Sequence, residues 1–265
     1  MSALKAMTDG REAGVWAMAR DAALMDALRV AGNDAPVLRS HGWSHATLTI
    51  GRVQEPPARL VDEAREAGVE LVRRPTGGGW LLHLPGDLSI TFALPGPLRA
   101  GQLRGAAATL GRGIAHGLRM LGHDADFVVT PAGSGVGCEA ICFDRIDREE
   151  VSVEGTKVAG VALARIARSA LVQSALPVTP APPELVAFTA RWDPQREDAC
   201  HRLARVDAFE LARTVQESVA RQLGREVQVI SWPASWLARA EKMKAMRSAD
   251  FAFPCPDRDT ESQSA

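Results

Sequence analysis

The sequence predicts an α+β fold, a mixed β-sheet flanked by helices that pack mainly on one side. Strand-like runs come in clusters separated by helical ones, without the strict alternation of a doubly wound sheet. The run Lys157 to Ile166 is apolar on both faces through Val158, Val161, Ala162 and Leu163, the pattern of a central buried strand. The chain has 265 residues, 46% hydrophobic and 24% charged, enough for one large core.

Taken in order, Asp9-Gly10 leads into a helix from Glu12 to Val30. Its apolar stripe is Val15, Met18, Ala22 and Met25, joined by Leu24 and Leu28, and the Gly32-Asn33-Asp34 cluster ends it. Short strands follow at Val37 to Arg39 and Ala46 to Gly51. Pro56-Pro57 opens a helix to Gly68, whose wet side carries Arg59, Asp62, Glu63, Arg65 and Glu66. A β-type run from Val69 to Arg73 stops at Pro75, where the ring removes a backbone donor.

Asp87 to Leu94 alternates as a strand, with Leu88, Ile90 and Phe92 on one face and Ser89 and Thr91 on the other. A helix from Gly101 to Leu121 contains interior glycines that only tight packing would justify. Strands are expected at Phe127 to Val129, Glu150 to Glu154, Lys157 to Ile166 and Ala170 to Val178. Helices are expected at Pro183 to Arg191 and Ala208 to Leu223, enclosing a variable region. A strand at Val227 to Ser231 and a helix at Ala234 to Arg247 close a single domain of residues 1–248. Residues 249–265 read as a fraying tail.

Composition excludes several function classes. A net charge of −1 gives no general attraction to nucleic acid or to anionic membranes. No apolar run is long enough to span a bilayer, and the N-terminus lacks the apolar core of a secretory signal, so the cytoplasm is expected. Cys138, Cys142, Cys200 and Cys255 form no disulfide framework. No second Cys or His pair completes a zinc site with Cys138 and Cys142, so no metal is expected.

The most informative stretch is Arg73-Arg-Pro-Thr-Gly-Gly-Gly79. Three adjacent glycines contribute no side-chain packing and cost entropy. They serve either as a flexible hairpin turn or as a cradle of bare N–H groups for a ligand. The two preceding arginines favour an anionic guest.

Landmarks in a fixed order decide between the two. Met18-Ala-Arg-Asp21 lies in the first helix, and Trp43 precedes Leu48-Thr-Ile-Gly-Arg-Val-Gln54. The Arg-Arg-Pro-Thr-Gly-Gly-Gly stretch is followed by His83, and Cys142-Phe143 precedes Val153-Glu-Gly-Thr-Lys-Val-Ala-Gly160. This set resembles the biotin/lipoate protein ligase and octanoyltransferase family, in its lipoate-type branch, over roughly residues 12 to 180. The resemblance implies a class II aminoacyl-tRNA synthetase/biotin protein ligase-like catalytic domain and an acyltransferase of protein lipoylation.

By that resemblance, Arg74, Thr76, Gly77, Gly78 and Gly79 bind the carboxyl end of an acyl chain, with Trp80, His83 and Gly160 beside them. Lys157 is implied as the catalytic lysine, an ammonium that stabilises the oxyanion. Cys142 is implied as a nucleophile that carries the chain as a thioester, with Cys138 in reserve. The implied partners are an octanoylated acyl carrier protein or free lipoate as donor. The implied acceptor is a lipoyl domain of a 2-oxoacid dehydrogenase or glycine cleavage protein. No cofactor is needed for transfer.

An ATP-dependent lipoate ligase, using ATP and Mg, is the alternative, and a non-catalytic acyl- or partner-binding domain is a third reading. The chain departs from the lipoate-type pattern after the lysine. It reads Gly160-Val-Ala-Leu163 in place of Gly-Ser-Ala-Gln, and Val172-Gln-Ser-Ala-Leu176 in place of the Gln-His-Gly strand.

Overall fold

The computed structural model describes residues 2–30, 34–128 and 150–244. The first half runs β1 (Leu4–Glu12), α1 (Gly14–Leu28), β2 (Val37–Trp43), β3 (Thr47–Ile50), α2 (Ala58–Glu66), β4 (Glu70–Arg73), β5 (Leu81–His83) and β6 (Leu88–Pro95). Then come α3 (Ala100–Met120), β7 (Ala125–Val128), β8 (Glu150–Val153), β9 (Thr156–Ile166) and β10 (Ser169–Leu176). After a 3-10 turn at Pro183–Leu185 follow α4 (Val186–Trp192), α5 (Arg196–Arg202), α6 (Ala208–Gln222), β11 (Val227–Val229) and α7 (Ala234–Lys244). Cys138, Cys142, Cys255, the glycine-rich stretch 131–137 and the tail from 249 lie outside the described residues.

Eight strands form the main sheet in the order β11-β1-β2-β6-β10-β9-β8-β7, and β4-β3-β5 form a second, smaller sheet. β1 is parallel to β2 and β11, and β3 to β4, while the remaining pairs are antiparallel, so both sheets are mixed. This is the expected fold class.

Strand alternation sorts the core into two layers. Leu38, Leu88, Ile90, Phe92 and Val172 meet Leu110, Ile114 and Leu118 of α3 and Leu211, Val215 and Val219 of α6. The two helices approach most closely over Gly113 and Gly117, where a Cβ would come within 2.8 Å of Val219 Cγ2 and Leu211 Cδ1. That close packing accounts for Gly113 and Gly117, whereas a Cβ on Gly105 would meet nothing within 4 Å. On the other face, Met7, Val37, Ala93 and Leu171 meet Leu24, Ala27 and Leu28 of α1 and Trp236 of α7.

Helices therefore cover both faces of the main sheet, not mainly one. The second face is harder to recognise in the sequence because it is interrupted by buried polar side chains, among them Arg39, Ser89, Thr91 and Gln173. A third apolar cluster, with Leu48, Ile50, Leu60, Trp80, Leu82 and Phe188, holds the small sheet to α2 and α4.

Two elements escape the periodicity analysis. β1 carries the irregular pattern Leu-Lys-Ala-Met-Thr-Asp-Gly-Arg-Glu, and its register against β2 shifts between Thr8 and Arg11, so a period of two is never sustained. α5 has only seven residues, too few to show a helical repeat. No described helix is long and apolar enough to cross a membrane.

Candidate active site

The glycine stretch follows β4, where Pro75 ends the pairing with β3. Its geometry is set by the two arginines, whose donors turn inward. Arg74 is buried; its Nη2 donates to the carbonyls of Gly77 (2.7 Å) and Gly79 (2.6 Å), Nε to Gly77 (3.2 Å), and Nη1 to Thr49 (3.1 Å). Arg73 Nη1 donates to the carbonyls of Gly51 (2.6 Å), Arg52 (3.1 Å) and Gln54 (3.0 Å). The arginines thus knit the loop to its own backbone, a structural use of guanidinium donors that residue type alone does not reveal.

The loop is also tied to the main sheet. Gly77 N–H donates to the Leu163 carbonyl of β9 at 3.2 Å, and Thr76 Oγ1 donates to Gln173 Oε1 of β10 at 2.6 Å. Within the triplet the demand for glycine is uneven. Gly78 has φ +94°, and a Cβ there would lie 2.9 Å from Arg74 Nη2, whereas a Cβ on Gly77 meets nothing closer than 4.0 Å. A Cβ on Gly51 would lie 2.1 Å from the Gly78 carbonyl oxygen. Gly78→Ala is therefore expected to carry about 1–3 kcal/mol of backbone strain and to shift the loop, while Gly77→Ala folds and functions nearly as wild type. Thermal melts with ligand-binding assays on the pair check this; equal behaviour of the two variants would remove the loop geometry as the cause.

Beside the loop, a narrow cavity of about 40 Å³ lies between α1, the main sheet and the small sheet. Met18, Trp43, Leu81, Gly160, Ala162 and Ala175 supply its apolar wall, and Thr49, Arg74, His83, Ser89, Thr91 and Gln173 its polar one. The polar side chains largely satisfy one another. His83 Nε2 lies 3.0 Å from Thr49 Oγ1 and its ring stacks on Trp43 at 3.8 Å, while Trp43 Nε1 donates to Ser89 Oγ at 3.0 Å. A guest accordingly meets mostly carbon. Burial, reinforced by the charges of Arg196 and Arg74, holds His83 well below the ordinary imidazole range, so the ring is neutral near pH 7.

Asp21 anchors the polar side. This fully buried carboxylate accepts from Arg39 Nη1 at 2.6 Å, from Thr91 Oγ1 at 2.7 Å and from Gln173 Nε2. Through Gln173 it reaches Thr76 and hence the glycine loop. Arg39 is in turn held by Asp9 and Glu12. Burial pushes Asp21 up to about 7, opposed by the Thr91 and Gln173 hydrogen bonds and aided by Asp9.

A carboxyl raised above its ordinary 3.8 keeps in the folded state a proton that the unfolded chain releases. Its contribution to stability is then complete at acid pH and declines as pH rises towards about 7. Asp21→Asn is expected to flatten that decline, measured as Tm against pH; an unchanged slope would exclude Asp21 as its source.

Lys157, on β9, is buried and paired with Glu150 Oε1 of β8 at 2.7 Å. It is not among the cavity-lining residues; Gly160, three residues further along the strand, is. Trp80 also lies away from the cavity, in the core beneath the small sheet, with its ring edge-on to Trp192. Cys200 is the one cysteine among the described residues, and burial pushes its thiol up to about 11, which makes it a poor nucleophile near neutral pH. Among the described residues no group of three or more His, Cys, Asp or Glu side chains is placed to hold a metal ion.

Of the residues named from the motifs, Arg74, His83 and Gly160 line the cavity, Thr76 and the glycines Gly77 to Gly79 are held beside it through Gln173 and Arg74, and Lys157 and Trp80 do not line it. Trp43, Thr49 and Ala162, which lie within the landmark motifs, also line it, and Leu81, Ser89 and Thr91 join the wall without having been singled out by motif. The available signal was Ser89 and Thr91, a polar face on a strand whose neighbours are otherwise apolar.

Comparison with known proteins agrees with this geometry. The profile of the lipoyl protein ligase A/B catalytic domain matches residues 14–222. The octanoyltransferase LipM of Kyrpidia tusciae is 34% identical over 167 residues, 59% of each chain, and that of Staphylococcus aureus 33% over 150 residues, 53% of each. These matches span little more than half the length of the relatives. Lipoate-protein ligase A bound with ATP superposes with a TM-score of 0.71 at 18% identity, covering 92% of this chain and 95% of the other. The bipartite lipoate protein ligase of Thermoplasma acidophilum, studied with its E2 lipoyl domain, gives 0.68 at 18% identity, covering 92% and 93%. With a profile match over most of its length, the chain belongs to the lipoyl protein ligase A/B catalytic domain family.

Proposed function

We propose that this protein moves an octanoyl or lipoyl group onto a lysine of a lipoyl acceptor domain through a thioester on Cys142. The observation that carries this reading is the cavity, most of whose polar side chains have partners within the protein and whose free surface is mostly carbon, as an aliphatic chain requires. The LipM relatives, named as octanoyltransferases, supply the reaction class.

In the proposed sequence the Cys142 thiolate attacks the donor's thioester carbonyl, and the donor thiol leaves, taking up a proton. The free amine of the acceptor lysine then attacks the new thioester. Cys142 leaves as thiolate, and the amide forms as the amine loses its proton. Lys157 stabilises the oxyanion in both steps, with Glu150 offsetting the cost of burying its ammonium. The donor is an acyl carrier protein, and no cofactor takes part.

The test is incubation with octanoyl carrier protein followed by mass spectrometry. A gain of one octanoyl group on Cys142, lost in Cys142→Ala, supports the proposal; absence of a thioester on every cysteine rejects it. Lipoate-dependent exchange of pyrophosphate into ATP, indifferent to Cys142, would instead identify an ATP- and Mg-dependent ligase. The nucleotide-free reading comes first because Arg73 and Arg74, the cations nearest the loop, direct donors to backbone carbonyls.

A further inference from the structure

Charge is distributed unevenly along this nearly neutral chain. No acidic residue occurs between Asp87 and Asp124, a stretch holding Arg99, Arg104, Arg112 and Arg119. None occurs between Glu154 and Glu184, a stretch holding Lys157, Arg165 and Arg168. The fold places these two stretches side by side, because β6 pairs with β10 and the turn after β6 packs on the β9–β10 hairpin. Gly96 N–H donates to the Arg168 carbonyl at 2.8 Å, and Arg165 Nη1 to the Leu98 carbonyl at 3.0 Å.

Between them runs a broad surface groove of about 650 Å³, lined by Pro97, Leu98, Arg99, Arg165, Ile166 and Ala167. Arg99, Arg104, Arg165 and Arg168 are exposed, and none forms an ion pair among the described residues. By contrast, exposed Arg29, Arg59, Arg65, Arg119 and Arg213 each have a carboxylate partner.

We infer that this groove is the docking surface for an acidic carrier domain that brings the acyl group, an inference that rests on the proposed transferase reading. The surface is contiguous with the site along one strand. β9 carries Gly160 and Ala162 in the cavity wall, presents the Leu163 carbonyl to Gly77, and near its end at Ile166 projects Arg165 from the opposite face, towards Leu98. At about 3.3 Å per residue, Arg165 lies about 10 Å beyond Ala162.

The composition of the groove selects the class of partner. Arginines flanking half-buried Leu98 and Ile166 match the anatomy of a protein interface, in which charge steers the encounter and apolar contact follows. No aromatic side chain lines it, so it lacks the stacking platform that single-stranded nucleic acid uses.

The test uses the full chain with Arg99→Glu, Arg165→Glu and Arg168→Glu combined, beside a triple Arg→Lys control that keeps the charge. Binding of octanoyl carrier protein is measured by calorimetry at low and moderate salt. Transfer is assayed from the carrier and from octanoyl-pantetheine, which lacks the carrier's surface. The expected result is carrier binding that weakens with salt, is about tenfold or more weaker in the charge-reversed protein, and is retained in the lysine control. Transfer from octanoyl-pantetheine is unchanged.

Wild-type protein that fails to bind the carrier, or reversal that leaves binding intact, overturns the inference. Equal loss of octanoyl-coenzyme A binding also overturns it, by assigning the arginines to a small phosphate ligand. So does displacement of the carrier by oligonucleotide or anionic vesicles. If neither donor is turned over while charge-sensitive carrier binding persists, the transferase reading fails and the docking surface stands.

Discussion

Lys157→Met is expected to slow octanoyl transfer by about 10²–10³-fold, the usual cost of removing one oxyanion donor. Its ammonium is 5% exposed and sits 2.7 Å from Glu150, so it acts where water screens weakly. The same burial complicates a single substitution. Removing Lys157 breaks its buried ion pair with the Glu150 carboxylate, 7% exposed, a loss of about 3–5 kcal/mol for a buried pair.

Lys157→Met combined with Glu150→Gln separates the two effects, because the second change removes the charge that Lys157 had balanced. Stability by denaturant titration should largely return in the double variant, while the rate of acyl transfer stays low. A double variant that regains rate together with stability would reduce Lys157 to a structural role. Cys142→Ala should show no transfer from either donor, since the thioester cannot form.

Arg196→Met is expected to lower Tm by roughly 10 °C, from a loss of about 3–5 kcal/mol at about 2–4 °C per kcal/mol for a chain of this size. Arg196 is 1% exposed and donates through Nη2 to both oxygens of Asp87 (2.9 and 2.7 Å) and to the Thr179 carbonyl (2.8 Å). Nη1 donates to the Leu82 carbonyl at 3.1 Å. One side chain of α5 thereby joins β5, the turn into β6 and the segment after β10.

Asp87 accepts further from the backbone N–H of Leu84 and Thr179. Burial pushes its carboxyl up while Arg196 pulls it down. Without Arg196 only the N–H groups of Leu84 and Thr179 oppose the upward push, so protonation relieves the variant, and its deficit should narrow as pH falls. Asp87→Asn in the same background should recover much of the stability. A Tm change below about 3 °C in Arg196→Met would mean that the pair is solvated and worth little.

Most elements were legible from periodicity and punctuation. Pro75 ends β4, the alternation of Leu88, Ile90 and Phe92 marks one core face of β6, and Met18, Ala22, Leu24 and Leu28 of the α1 stripe are buried as their spacing requires, with Val15 and Met25 half-buried. The layer on the second face was not, because Ser89 and Thr91 resemble solvent-facing residues until α1 and the cavity are in place. Trp80 stands next to the glycine triplet in sequence, yet its ring belongs to the core of the small sheet, since adjacency along a chain says little about the direction of a side chain.

The arginines illustrate the same division. Residue type and position supplied two cations beside a glycine loop, which made an anionic guest the natural first reading. The partners that take up their donors are carbonyls of Gly51, Gln54, Thr49, Gly77 and Gly79, and only the fold brings those oxygens within reach.

By itself, then, the sequence determined the fold class, the family and the glycine and lysine landmarks, because these depend on local periodicity and on motifs whose order is conserved along one chain. The tertiary structure decided which of those residues share a cavity and how its polar groups are satisfied. Those contacts join residues as far apart as Thr76 and Gln173, 97 positions, and Asp21 and Gln173, 152 positions. Hydrogen bonds over such separations follow from sheet register and helix packing, which no short stretch of sequence contains.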